Sequence, residues 1–129
     1  MILNLSDLSE EPLHGQISRQ IREEILGGSL ENGAGLASIR ALARLNKVSV
    51  ITVQRAYEDL EREGLIISRR GKGFFVRAIS ANEKRDLASQ RFLEALRPVL
   101  LQARHEGLSG GEILEMIRQE MEEGNGDRF

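Results

Sequence analysis

Cysteine is absent from the 129 residues. Without a thiol there is no disulfide scaffold, no thiolate zinc site and no thiol nucleophile. Histidine is nearly absent as well. His14 and His105 are the only two, which leaves little for acid–base chemistry near neutral pH. Neither has a second ligand at metal-binding spacing, and each reads as a surface or packing residue. Long apolar runs are missing too. Leu65-Ile66-Ile67 and Val99-Leu100-Leu101 are the longest of note, against the roughly 20 residues needed to cross a bilayer. The first residues lack a basic segment followed by an apolar one, so a secretory leader is not expected and the cytoplasm is the expected compartment. These absences argue against a membrane partner and against most enzymes. No cofactor, metal site or catalytic residue is expected.

What is present is a globular composition, 40% apolar and 29% charged, of a length that suits one domain or a small domain with an appendage. The net charge of −2 hides an uneven spread. Residues 40–77 carry nine basic side chains (Arg40, Arg44, Lys47, Arg55, Arg62, Arg69, Arg70, Lys72, Arg77) against four acidic ones, a net of +5. Residues 80–129 carry seven basic and ten acidic, a net of −3. A basic segment in an acidic chain fits a face that meets a polyanion, and on charge alone it fits a solvated surface equally well.

Residues 1–12 read as an extended arm. From Leu13 to Leu26 the apolar residues Leu13, Ile17, Ile21 and Ile25 recur every four positions, the spacing of a helix face, and Gly27-Gly28 ends it. Ser38 can cap a second helix through Leu45 that buries Ile39, Leu42 and Ala43. Lys47-Val48 makes a short turn. Ser49 can cap a third helix to about Glu63, with Val53, Ala56, Tyr57 and Leu60 on its core face. Gly64 stops that helix, and two β-prone runs, Leu65–Ser68 and Phe74–Arg77, flank Arg69-Arg70-Gly71-Lys72-Gly73 as a hairpin. Helix, helix, turn, helix, hairpin is the order of a winged helix-turn-helix.

Beyond residue 78 the character changes. Ser80 with Glu83, and Ser109 with Glu112, have capping-box spacing. They open a helix over 81–105, with a kink expected at Pro98, and a second helix after Gly107. Leu108 and Ile113 are placed as a staple for the second. The first presents Leu87, Phe92, Leu93, Leu96, Val99, Leu100 and Ala103 as a stripe. The second is expected to bury Ile113, Leu114, Ile117 and Met121, and Glu122 to Phe129 reads as a frayed tail. Two such helices cannot cover their stripes against each other alone. They pack either on the N-terminal domain or on a partner chain, and a symmetric homodimer is the favoured solution, with Phe92, Leu93, Leu96, Val99, Leu100, Ile113, Leu114 and Ile117 as dimerisation residues. The fold class is therefore α+β, mostly α. A winged helix-turn-helix DNA-binding domain (1–78) precedes a two-helix dimerisation region (79–129).

Opposite the core face of the third helix lie Ile51, Arg55, Glu58 and Arg62, with Thr52 and Gln54 at the sides. A recognition helix enters the major groove by its N-terminal turns, so the acidic C-terminal half points away from the duplex. Ser49 and Thr52 suit phosphate, and Gln54 suits a phosphate or an adenine edge. Val50 and Ile51 offer only methyl groups, which suit thymine; the alternatives for an exposed Ile51 are packing on the wing or no role at all. Arg69, Arg70, Gly71 and Lys72 form either a wing tip for the minor groove and phosphates or a plain hairpin loop. A nucleotide-binding loop is a third reading, weak because Gly-x-Gly stands alone and no strand-to-helix passage follows. Arg40 is placed for a phosphate, or is a surface charge. The run Glu58–Glu63 is most simply a solvated helix end.

Four motifs in order now carry a resemblance: Leu36-Ala37-Ser38-Ile39-Arg40-Ala41-Leu42-Ala43, Val48 to Tyr57, Leu60-Glu61-Arg62-Glu63-Gly64-Leu65-Ile66, and Arg69 to Val76. Over about residues 12–77 the chain resembles the DNA-binding domain of GntR-type bacterial transcription regulators, and its short two-helix tail is similar to the YtrA-like subgroup. The resemblance implies a dimeric binder of double-stranded operator DNA, a repressor by the usual pattern, often of transporter operons. It places Arg40, Ser49, Thr52, Gln54 and Gly71 at the family's DNA-contacting positions. This chain departs at Ala37, where proline is usual, at Asn46-Lys47, which replaces an apolar-Gly turn, and at Val50 and Ile51, which replace polar or proline residues. No operator sequence follows. An unidentified small-molecule effector could sit among Phe92, Leu96 and Leu100, whose plainer reading is dimer core. The competing function is a winged-helix protein-interaction adaptor that binds no DNA.

Overall fold

Isoleucine at every fourth position writes the first helix, and the computed structural model of the chain, which describes residues 1–124, shows why. In α1 (Leu13–Leu26) Ile17, Ile21 and Ile25 are wholly buried. Ser38 caps α2 (Ile39–Asn46), its hydroxyl accepting from the Ala41 N–H at 3.1 Å. Ser49 caps α3 (Val50–Arg62) through the Thr52 N–H at 3.1 Å. From α2 the core receives Leu42 and Ala43, while Ile39 is only half-buried, less than its position on the helix predicts. From α3 it receives Val53, Ala56, Tyr57 and Leu60, all the residues on the expected face. Each of the larger side chains, Leu42, Val53 and Leu60, contributes about 1.5–3 kcal/mol by leaving water.

The wing pairs β1 (Ile66–Arg69) antiparallel with β2 (Gly73–Val76), Ile66 opposite Val76 and Arg69 opposite Gly73. A two-stranded ribbon alone is marginal in water. Here the loop before α2 supplies a third line of hydrogen bonds. Val76 N–H donates to the Ala34 carbonyl at 2.8 Å, Leu36 N–H to Phe74 at 2.9 Å, and Gly35 bridges Phe75.

The N-terminal arm is not loose. Three side-chain amides pair with its backbone as a neighbouring strand would. Asn46 Oδ1 accepts from Leu3 N–H (2.8 Å) while its Nδ2 donates to Met1 and Leu42 carbonyls. Gln20 exchanges both bonds with Asn4. Gln16, buried, does so with Ser6 and adds the Glu11 carbonyl.

Two compact units divide the chain, Met1–Arg85 and a second beginning at Asp86. The first includes the opening turn of α4 (Ala81–His105), where Ser80 Oγ accepts from the Glu83 N–H. The Glu83 carboxylate pairs with Arg77, whose guanidinium also donates to the Gly64 carbonyl. Helix α4 runs on through Pro98. Ser109 and Glu112 close a full capping box on α5 (Gly110–Glu123), and the Ser109 N–H holds the Glu112 carboxyl below the usual carboxylate range. The expected frayed tail starts too early: Glu122 and Glu123 are helical, and its remainder from residue 125 lies outside the described residues.

Burial in the second unit differs from expectation. Nothing on α4 is buried, and α5 buries Ile113 but not Leu114, Ile117 or Met121. Phe92 is 62% exposed, Val99 64% and Leu114 69%. Leu93 and Ile117 are also exposed, while Leu87, Leu96, Leu100 and Ala103 are half-buried.

Candidate nucleic-acid interface

Tyr57 fixes the relative placement of the three pieces. Its ring is buried in α3 and meets Phe74 of β2 edge-on, centroids 4.9 Å apart at 73°. Its hydroxyl donates to the Ala37 carbonyl at 2.7 Å, just ahead of α2. Helix α3, the wing and the start of α2 are thus tied through one side chain, and burial pushes its phenol up to about 12. Arg22 on α1 grips Glu63 with two bonds of 2.9 Å and holds the far end of α3.

The acidic half of α3 is more than a solvated end. Asp59 pairs with Arg62 at 3.1 Å and has His14 Nδ1 at 3.5 Å, and Glu61 accepts from Ser68 of β1. Glu58 accepts from Gln54 at 3.2 Å. The carboxylates are turned into structural bonds.

The cations divide the other way. Among residues 1–79, Arg19, Arg22, Arg62 and Arg77 are paired with carboxylates. Arg40, Arg44, Lys47, Arg55, Arg69, Arg70 and Lys72 are exposed, and none has a carboxylate within ion-pair distance among the described residues. Those seven lie on α2, on the turn after it, on α3 and on the wing. A cation left without a protein partner keeps its full interaction for an external anion.

Each expected contact residue can be located. Arg40 stands on the first turn of α2. Ser49 and Thr52 hydroxyls bond each other at 2.7 Å, which engages one hydroxyl hydrogen and leaves the other to donate outward. Val50 is 38% exposed and Ile51 69%, so most of the Ile51 side chain faces solvent. Gln54 and Arg55 are exposed on the same helix. Arg69 lies over the Phe75 ring at 5.5 Å, a packing role as well as a charge. Arg70 and Lys72 occupy the tip, closed by Lys72 N–H to the Arg69 carbonyl at 2.9 Å. Gly71 there has φ +73°, and a Cβ would meet nothing within 4 Å. The backbone conformation, rather than crowding, calls for glycine.

Sequence reasoning passed over Arg44, which follows Arg40 by one helical turn; that i, i+4 spacing was the available signal. It also passed over a cleft of about 470 Å³ lined by Leu5, Asp7, Leu13, Asn46, Lys47, Val48, Ser49 and Thr52. No local pattern marks a cleft built from the arm. Among the described residues there is no group of His, Asp or Glu able to hold a metal, and no helix is long and apolar enough to cross a membrane.

Residues 13–76 match the family described as "Bacterial regulatory proteins, gntR family". Along most of its length the chain is similar to the HTH-type transcriptional repressor YtrA of Bacillus subtilis, 31% identical over 92% of this chain and 91% of that one. In structure it is similar to a GntR family transcriptional regulator from Listeria monocytogenes (TM-score 0.75, 26% identity, covering 89% of this chain and 98% of that one). It is also similar to AraR(DBD) in complex with operator ORX1, with TM-score 0.52 and 29% identity over 59% of this chain and 94% of that one.

Proposed function

The chain belongs to the GntR family of bacterial regulatory proteins, and on that premise we propose that it acts in the cytoplasm as a dimeric repressor that binds its operator through α2, α3 and the wing. The observation that carries this reading is the division of charge: Arg40, Arg44, Lys47, Arg55, Arg69, Arg70 and Lys72 have no carboxylate within ion-pair distance among the described residues, while Arg19, Arg22, Arg62 and Arg77 are bonded to one. Membership places it among transcription regulators and not among enzymes. The name of the Bacillus relative supports repression, and the AraR complex supports operator DNA as the partner.

In this reading Arg40, Arg70 and Lys72 neutralise phosphates, and Ser49 or Thr52 donates a hydroxyl to one. Val50 and Ile51 meet thymine methyls, Gln54 reads an adenine edge or a phosphate, and Arg55 flanks the groove. Arg69 adds charge at the wing, where Gly71 lets the backbone approach the minor groove. Residues 1–78 are the DNA-binding domain. Residues 79–129 are the dimerisation region, where Phe92, Leu93, Leu96, Val99, Leu100, Leu114 and Ile117 meet a second copy; Ile113 is already buried within the chain. Two α3 helices then enter major grooves about one helical turn apart. A transporter operon is the proposed target.

Gel-shift titration against the DNA upstream of its own gene, with unrelated competitor and varied salt, tests the reading. A shifted band that survives competitor and weakens steeply with salt is expected. Failure to shift any DNA at low salt overturns it and leaves the adaptor reading.

A further inference from the structure

Three turns in this chain share one hydrogen-bond pattern, and only one of them is made without glycine. At the end of α3, Gly64 N–H donates to Glu61 and Leu65 N–H to Leu60, both at 3.0 Å. At the end of α4, Gly107 donates to Arg104 at 3.0 Å and Leu108 to Ala103 at 3.1 Å. At the end of α2, Lys47 donates to Arg44 at 3.4 Å and Val48 to Ala43 at 3.0 Å. This pattern puts its middle residue in the left-handed conformation, where glycine carries no penalty and a side chain does. Gly64 has φ +78° and Gly107 +96°; Lys47 has +55° and is the sole non-glycine residue with positive φ among the described residues.

A strained residue kept where glycine would relax the turn directs attention to what its side chain does. The Lys47 side chain makes no ion pair within the fold: it is exposed and has no carboxylate within ion-pair distance among the described residues. It lines the same cleft as Ser49 and Thr52, two of the proposed contact residues. Asp7, on the arm, is the cleft's one carboxylate and does not pair with it. Asn46, next to it, is fixed by three bonds to the arm and α2, so the turn is held in place ahead of any encounter.

We infer that Lys47 is a DNA-contacting residue of the turn, placed to neutralise a backbone phosphate beside α3 and retained there at the expense of stability. The inference rests on the DNA-binding reading above and adds a contact to it. A phosphate contact carries no sequence information, so its loss weakens binding to every duplex alike.

The test compares wild type with Lys47→Gly, Lys47→Asn and Lys47→Arg, by thermal unfolding and by anisotropy titration of a fluorescein-labelled random-sequence duplex at several salt concentrations. Lys47→Gly is expected to raise Tm by a few degrees. It is also expected to weaken binding about fivefold per protomer near 0.1 M salt and to flatten the log–log salt slope by about 0.9 per protomer. Asparagine, which tolerates the left-handed conformation, should lose binding to the same extent, and arginine should keep it. A structural role would move stability and binding in the same direction; the contact role moves them oppositely. Lys47→Gly with unchanged affinity and slope overturns the inference and leaves DNA binding standing. Wild type that fails to bind the duplex at low salt overturns the DNA reading and the inference together.

Discussion

Replacing Arg70 and Lys72 together by alanine removes two cations from each wing tip and little else. Both are exposed, with no carboxylate within ion-pair distance among the described residues, so the change in stability should stay within about 0.5 kcal/mol. Each phosphate contact on B-form DNA contributes about 0.9 to the slope of log K against log salt. Two contacts per wing and two wings per dimer make about 3.6. A fourfold rise in salt, from about 50 to 200 mM, therefore weakens the wild-type complex about 150-fold more than the double variant's. Arg69 is left in place because it also lies over Phe75, and its removal would mix packing with charge. Anisotropy titration across that salt range measures both slopes. Arg118→Ala, which breaks an ion pair with Glu115 on α5, serves as the control and should leave the slope alone. A double variant with the wild-type slope would refute the wing as a phosphate contact.

Ile51→Ala should change preference among duplex sequences with little effect on the salt slope, read by competition between T-rich and T-poor duplexes; equal losses on all sequences would sink its base-contact role. Phe92→Ala on the exposed stripe should forfeit about 1.5–3 kcal/mol from each protomer, at least about a hundredfold in the dimerisation constant, measured by sedimentation equilibrium. A wild-type protein that sediments at the 14.4 kDa of one chain at micromolar concentration would contradict the dimer itself. Tyr57 is the only tyrosine and there is no tryptophan, so absorbance near 295 nm titrates it alone. Its midpoint should lie at about 12 in the folded protein against about 10 unfolded. Because ionisation costs more in the folded state, the stability linked to this group is complete below pH 10 and drains as pH rises towards 12. A folded midpoint near 10 would mean the ring is not buried.

The elements of the first unit were legible because local signals and tertiary demands agree there. Ile17, Ile21 and Ile25 name one helix face and are the residues wholly buried; Ser38 and Ser49 name the helix starts and do cap them. The arm was legible only as extended chain. Its partners Gln16, Gln20 and Asn46 are amides whose pairing with Ser6, Asn4 and Leu3 depends on how α1 and α2 already lie. Spacing along the sequence does not encode such a match. The same holds for Glu63, a surface charge by pattern and the partner of Arg22 forty-one positions away by structure.

The contact residues on α3 and the wing could be proposed from sequence because a helix cap and a glycine turn fix where their side chains emerge. Lys47 could not, because a lysine after a helix reads as an ordinary C-terminal cation; its meaning comes from a backbone angle of +55° that only coordinates reveal. The α4 and α5 stripes show the converse limit. Their apolar spacing predicts stripes and, on α5, the burial of Leu114, Ile117 and Met121, yet these three stay exposed, as do Phe92 and Val99. Periodicity records what a helix face is made to meet in every assembly it enters, whereas the burial of one chain records only what that chain supplies. Where the two disagree over such a stretch, as they do here, the difference is the surface that the proposed dimer has to cover.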